Sequence, residues 1–307
     1  MTFKRSAAVL AMTCWLVILV SLPAVQCEAA EALLVYDIKT DDAFTGEKEA
    51  VMQTAFTSRA MYVDVKTRFI GSWMKRIFGK VTESRDTTHF LLDERQIHEV
   101  NYSRGNIRVT PLDQIADVSW VSEKNARPAG VEEMIKERYT VEPGQFQITP
   151  TGINAVINGF EAQRIDATLR LETYDKKKNA SSMTFITQEL WVSRALPQYR
   201  VYQAFFGALA SQMGLEAERL KGLSSILQYW DGSLDPIRDQ ISASEGLPVK
   251  SVTSVEAVYI KNVGSPESET IRKQIKTETL LLQSVQDGAA DRSAFEFPKE
   301  FQFVYVK

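Results

Sequence analysis

Apolar and polar positions alternate most regularly within residues 151–197. Ile165, Ala167, Leu169 and Leu171 alternate with Asp166, Thr168, Arg170 and Glu172. That period of two gives a strand one buried and one wet face. Asp175, Lys176, Lys177, Lys178 and Asn179 are too polar for a core and predict the turn before a second strand over 183–193. Asn158-Gly159 marks a turn at the head of the unit, because both residues tolerate positive φ. The stretch predicts one long antiparallel hairpin with other strands on its flanks.

Alternation predicts further strands before it. Residues 32–39 set Leu34, Tyr36 and Ile38 against Leu33, Val35 and Asp37. Residues 51–68 read as one longer strand region, with Met61, Val63 and Val65 on a face near its end. Residues 88–111 hold two more strand candidates: Ile97 to Asn101, preceded by Phe90-Leu91-Leu92, and the run holding Ile107 and Val109. Ser103-Arg104-Gly105-Asn106 forms the turn between them. Past the hairpin, 249–260 and 278–285 repeat the strand pattern, and 301–306 closes the chain with alternating Phe301, Phe303 and Tyr305.

A different period sets in after Pro197. Tyr202, Phe205, Phe206, Leu209 and Met213 recur at helical spacing within 199–213, and Gly214 closes the run. Leu220, Leu223, Ile226, Leu227 and Trp230 repeat the pattern from 217 on, interrupted by Gly222. Asp235-Pro236 has the chemistry of a further helix start. These runs predict a helical layer inserted between sheet-forming regions. Residues 69–80 also carry apolar residues at helical spacing, with Lys75, Arg76 and Lys80 among them. They predict either a short amphipathic helix at a membrane face or cavity, or an ordinary connection packed on the core.

The ends bound the context. Lys4 and Arg5, an apolar run through Trp15 to Leu19, and Cys27-Glu28-Ala29 resemble a secretory leader cut after Ala29. A retained anchor is the competing reading, and lipid attachment at Cys27 departs from the usual pattern because the bulky, polar Gln26 precedes it. Cys14 and Cys27 are the only cysteines, so cleavage leaves no thiol and no disulfide. The net charge of −3 is mildly acidic and gives no argument for nucleic acid.

Reaction chemistry is sparse. The sequence has no G-x-S-x-G elbow, no H-E-x-x-H and no phosphate-binding glycine loop. Asp93 and Glu94 are adjacent and would point to opposite faces of a strand. His89 and His98 are the only histidines, nine residues apart, with no cysteine to join them in a metal site.

Four segments carry a family resemblance. Thr151-Gly152-Ile153, Gly159-Phe160 and Arg164 resemble the hairpin start of the DUF4412 family of exported bacterial proteins. Glu189-Leu190-Trp191-Val192-Ser193 with Leu196-Pro197 resembles a strand of that family. The run from Asp291 to Pro298 resembles its closing segment, and 90–102 resembles an earlier region. That family is similar in turn to the outer-membrane lipoprotein carrier (LolA/LolB-like) superfamily. The resemblance implies an exported protein with a curved antiparallel sheet, a half-barrel with helices across its concave face, and a hydrophobic-ligand cavity. It supplies no catalytic residues, and the chain shows no motif for handing over cargo.

The expectation is an α+β chain: a signal peptide over 1–29, then a single lipoprotein-carrier-like half-barrel domain over 30–307 with a helical layer at about 199–242. It is expected to be non-enzymatic and to bind a lipid, a lipoprotein acyl chain or another hydrophobic ligand in the cell envelope. After leader cleavage it would be periplasmic or associated with the outer membrane. The candidate lining residues are Trp73, Trp191, Phe205, Phe206, Leu209 and Trp230; each could equally complete the core. No catalytic residue, cofactor, metal or nucleic-acid partner is expected. The alternatives are an envelope structural or protein-interaction module that contacts a partner protein or the membrane surface, and a hydrolase whose site assembles from distant residues.

Overall fold

A computed structural model describes residues 32–70, 83–116, 137–214, 217–230, 240–241, 244–288 and 296–306. Its frame is an open twelve-stranded sheet in the order β12-β6-β5-β4-β3-β2-β1-β11-β10-β9-β8-β7. The first six strands are β1 (Ala32–Asp42), β2 (Gly46–Phe56), β3 (Ala60–Phe69), β4 (Glu83–Leu91), β5 (Gln96–Asn101) and β6 (Asn106–Pro111). They form one meander, each strand antiparallel to the next. A second meander holds β7 (Tyr139–Ile157), β8 (Phe160–Asp175), β9 (Ala180–Ser193), β10 (Leu247–Lys261) and β11 (Glu269–Asp287). The two meanders are joined where β1 pairs antiparallel with β11. The short β12 (Gln302–Tyr305) lies parallel to β6, the one parallel pair among the described residues.

The hairpin read from the sequence is β8–β9. Ile165, Ala167 and Leu169 are fully buried, while Asp175 Oδ1 accepts the backbone N–H groups of Lys177 and Lys178 and shapes the turn. Asn158 and Gly159 both have positive φ, 49° and 87°, the signature of the two-residue turn that suits a twisted hairpin. That turn joins β8 to β7, which begins well before residue 151.

Two stretches divide more finely than their periodicity shows. Residues 51–68 are not one strand: β2 and β3 turn at Thr57, whose Oγ1 accepts the N–H groups of Arg59 and Ala60 at 3.0 and 2.8 Å. Residues 88–111 contribute to three strands, because the Leu91–Gln96 connection is itself a turn.

Helices are few among the described residues. α1 (Leu112–Ala116) is a single turn. α2 (Tyr199–Met213) matches the helical run and ends at Gly214 in the left-handed conformation. The second run is not a continuous helix. It gives a 3-10 turn at Ala217–Leu220 and the four-residue α3 (Ser224–Leu227), broken around Gly222.

α2 buries Phe205, Leu209 and Met213 in a cluster with Leu34, Phe56 and Met61 of the first meander and Leu282 of β11. α3 buries Ile226 and Leu227 in a second cluster with Ile165, Ala167, Leu169, Ile186 and Leu190. The helical insertion between β9 and β10 therefore covers part of one sheet face. The 69–80 amphipathic stretch lies almost wholly outside the described residues, as does the Asp235-Pro236 helix start.

Candidate functional site

A cavity of about 300 Å³ lies between the helical insertion and the sheet. Its floor comes from alternate residues of neighbouring strands: Leu34 and Tyr36 of β1, Met52, Thr54 and Phe56 of β2, Met61 and Val63 of β3, and Glu278 and Leu280 of β11. Spacing of i and i+2 puts each set on one sheet face. Tyr202 and Phe206 of α2 form part of the roof, four residues apart on one helix side. Leu220 to Gly222, with Ser224 and Ser225, complete it where the second helical run breaks.

That break holds its position through direct bonds to the sheet. Gln188 Nε2 donates to Gly222 O at 2.8 Å and to Ser251 Oγ at 2.9 Å. Ser225 Oγ and Thr253 Oγ1 are 3.0 Å apart. A Cβ on Gly222 would sit 3.2 Å from both Leu190 Cδ2 and Pro248 Cγ. Gly222 thus ends the helical run and lets its backbone approach the sheet.

The Phe206 ring lies 4.7 Å from that of Tyr202, 5.3 Å from Phe205 and 6.1 Å from Phe56, centroid to centroid. Tyr36 donates its hydroxyl to Pro248 O at 3.0 Å. Burial holds the phenols of Tyr36 and Tyr202 above the usual tyrosine range, so both stay neutral.

Of the residues singled out from sequence, Trp191, Phe205 and Leu209 share one buried cluster with Phe206 packed against it, and Trp230 packs against the second cluster. Phe206 lines the cavity. Phe205 and Leu209, on the same helix, are buried in the packed core beside it. Trp191 is buried with Ala162, near the Ile157–Phe160 hairpin end. Its indole donates to Glu189 Oε1 at 2.8 Å, the largest influence holding that carboxyl below its ordinary range. Trp230 packs on Phe146 at 5.8 Å in the second cluster. Trp73 lies outside the described residues. Sequence reasoning passed over Met52, Phe56 and Leu280, and for Tyr36 its alternation gave a strand face, not what lay across from it.

On β4 and β5 the two histidines stand directly opposite each other. Both are buried. Phe297 stacks on His89 at 4.3 Å and tilts over His98 at 5.5 Å. Tyr62 meets His89 edge-on at 4.9 Å. His98 Nε2 lies 3.0 Å from Gln96 Oε1 and 3.9 Å from Glu94 Oε2. His89 Nε2 and His98 Nδ1 have no hydrogen-bond partner among the described residues. Burial pushes both imidazoles down, His89 to about 3, with the charge of His98 adding to the shift at His89 and Asp64 opposing it. Glu94 opposes the shift at His98. Among the described residues no three His, Cys, Asp or Glu side chains group to hold a metal ion.

No family model matches the chain, and no curated protein matches it, so the DUF4412 resemblance rests on the sequence segments alone. Among solved structures the chain is similar to a LolA superfamily protein, NE2245 of Nitrosomonas europaea. The identity is 9% over 87% of this chain and 90% of that one, with a TM-score of 0.26. It is also similar to BF2203 of Bacteroides fragilis, a protein of YmcC-like fold, at 11% identity over 84% of this chain and 96% of that one. The TM-score there is 0.16. Scores this low leave the site to be judged on its own geometry. That geometry defines a class: an open antiparallel sheet, with one parallel edge pair, holding an apolar cavity under a helical insertion.

Proposed function

We propose that the chain is an exported, non-enzymatic binding protein of the cell envelope that houses a hydrophobic ligand between α2 and the sheet. The cavity of about 300 Å³, walled mainly by Leu, Met, Val, Phe and Tyr, carries this reading. Its volume is at the small end of the ~300–1,000 Å³ typical of ligand pockets. The mechanism is removal of an apolar chain from water, at about 0.8 kcal/mol for each buried CH₂ before the cost of association. In this reading a leader over 1–29 is removed. The sheet of the 30–307 domain curves as a half-barrel, with the insertion across its concave face. Phe206 is the member of the sequence-derived set that touches the ligand.

The test is extraction of the purified protein with organic solvent and mass spectrometry of the extract, beside a Met52→Trp variant that fills the cavity. A lipid that copurifies or exchanges into the unaltered protein and is absent from the folded variant supports the reading. Equal lipid in both, or none that can be loaded, overturns it.

A further inference from the structure

The polar groups around the cavity are not balanced in charge. Lys221 and Glu278 are the two ionisable side chains of opposite sign that line it. Glu278 is answered from within the sheet: Lys276 Nζ lies 2.7 Å from its Oε2, and Thr40 Oγ1 lies 3.5 Å from the same oxygen. Among the described residues Lys221 makes no such pair. Ser225 and Ser251 are engaged with Thr253 and Gln188. Among the described residues the cationic side chain of Lys221 thus has no ion-pair partner where the helical run breaks, and the remaining cavity wall is largely aliphatic and aromatic.

An apolar slot with one unanswered positive charge at its end fits an amphiphile with one chain and one negative charge. A two-chain lipid would need more room: at about 30 Å³ per group, the volume of one water in the liquid, the space holds roughly ten methylene-sized groups. A phosphate head would be better met by a planar arginine fork or several donors than by one lysine. Building on the cavity as a ligand site, we infer that its ligand is a single-chain carboxylic acid, with the chain against Met52, Phe56, Met61 and Phe206 and the carboxylate at Lys221.

The experiment uses the delipidated full chain and two probes that the cavity can hold, decanoic acid and its methyl ester, titrated by calorimetry at pH 7.5 below their aggregation limits. The acid should bind more tightly than the ester by on the order of tenfold, the scale of a charge-assisted hydrogen bond. Lys221→Met should erase that preference by weakening the acid alone, and Lys221→Arg should keep it. Equal affinity for acid and ester overturns the carboxylate assignment while leaving the apolar cavity standing. Lys221→Met weakening both probes alike also overturns it, because the lysine would then only shape the wall. Binding of neither probe overturns both this inference and the proposed function.

Discussion

The cavity under α2 and the histidine cluster on β4 and β5 lie on the same six-strand meander and solve opposite problems. At the cavity, apolar faces meet across a gap, and Tyr36, Ser225, Ser251 and Glu278 at its margin are partnered. At the cluster, aromatic rings close tightly over two imidazoles, and two ring nitrogens are sealed in without partners. The first arrangement leaves room for a guest and keeps its two buried phenols neutral. The second leaves no room but stores a penalty that acid can release. One sheet therefore carries an open apolar cavity in one region and a closed pair of buried imidazoles in another.

Substitutions can separate the two. The largest effect belongs to Phe205→Ala. This side chain is fully buried, and its loss should destabilise the protein by roughly 3–5 kcal/mol in urea unfolding. Its half-buried neighbour Phe206→Ala should cost only about 1 kcal/mol yet lower lipid retention in extracts. If both variants lose stability equally, α2 has no distinction between core side and cavity side.

Acid should act on the other region. The folded-state value of His89 lies at about 3, below its ordinary 6.5, so the unfolded chain takes up the proton first. The stabilisation is complete above pH 6.5 and is lost progressively as pH falls toward 3. At about 1.4 kcal/mol per unit, the protein should be ~2 kcal/mol less stable at pH 5 than at pH 7. His89→Phe should flatten that slope in unfolding midpoints measured across the range, without changing lipid content. An unchanged slope would show that the carboxylates, not the cluster, govern the acid response.

The smallest effect is expected at Gly222→Ala. Its new Cβ would press on Leu190 and Pro248 at 3.2 Å, for about 1 kcal/mol. Because that backbone forms part of the cavity roof, lipid retention should shift more than the thermal midpoint does.

Local patterns were legible where one residue type sets the local geometry. Residues 199–213 were readable as a helix because five large apolar side chains keep its period and Gly214 stops it. Asn158-Gly159 announced its turn for a similar reason. The Thr57 turn was hidden: its Oγ1 does the work that glycine, proline or asparagine usually signals, so β2 and β3 merged into one run. The cavity was harder still. Trp191 and Trp230 drew notice by size, but burial of a large ring says nothing about whether its neighbour is protein or empty space. Met52 and Leu280 meet at one site because of a register between strands more than two hundred residues apart, and no local pattern encodes it.

That register has a consequence for how the molecule is made. β1 is among the first strands to be synthesised, and its partner β11 is among the last. The first meander can zip locally, but Leu34 and Tyr36 gain Val285 and Leu282 beside them only once nearly the whole chain has emerged. Contacts of such separation form late, because closing the intervening loop must precede any gain from pairing. Since β1 to β3 and β10 to β11 all wall the cavity, no early half of the chain can form it. Uptake of a ligand would mark the end of folding, and premature truncation anywhere before β11 would yield a chain with an exposed centre edge and no binding.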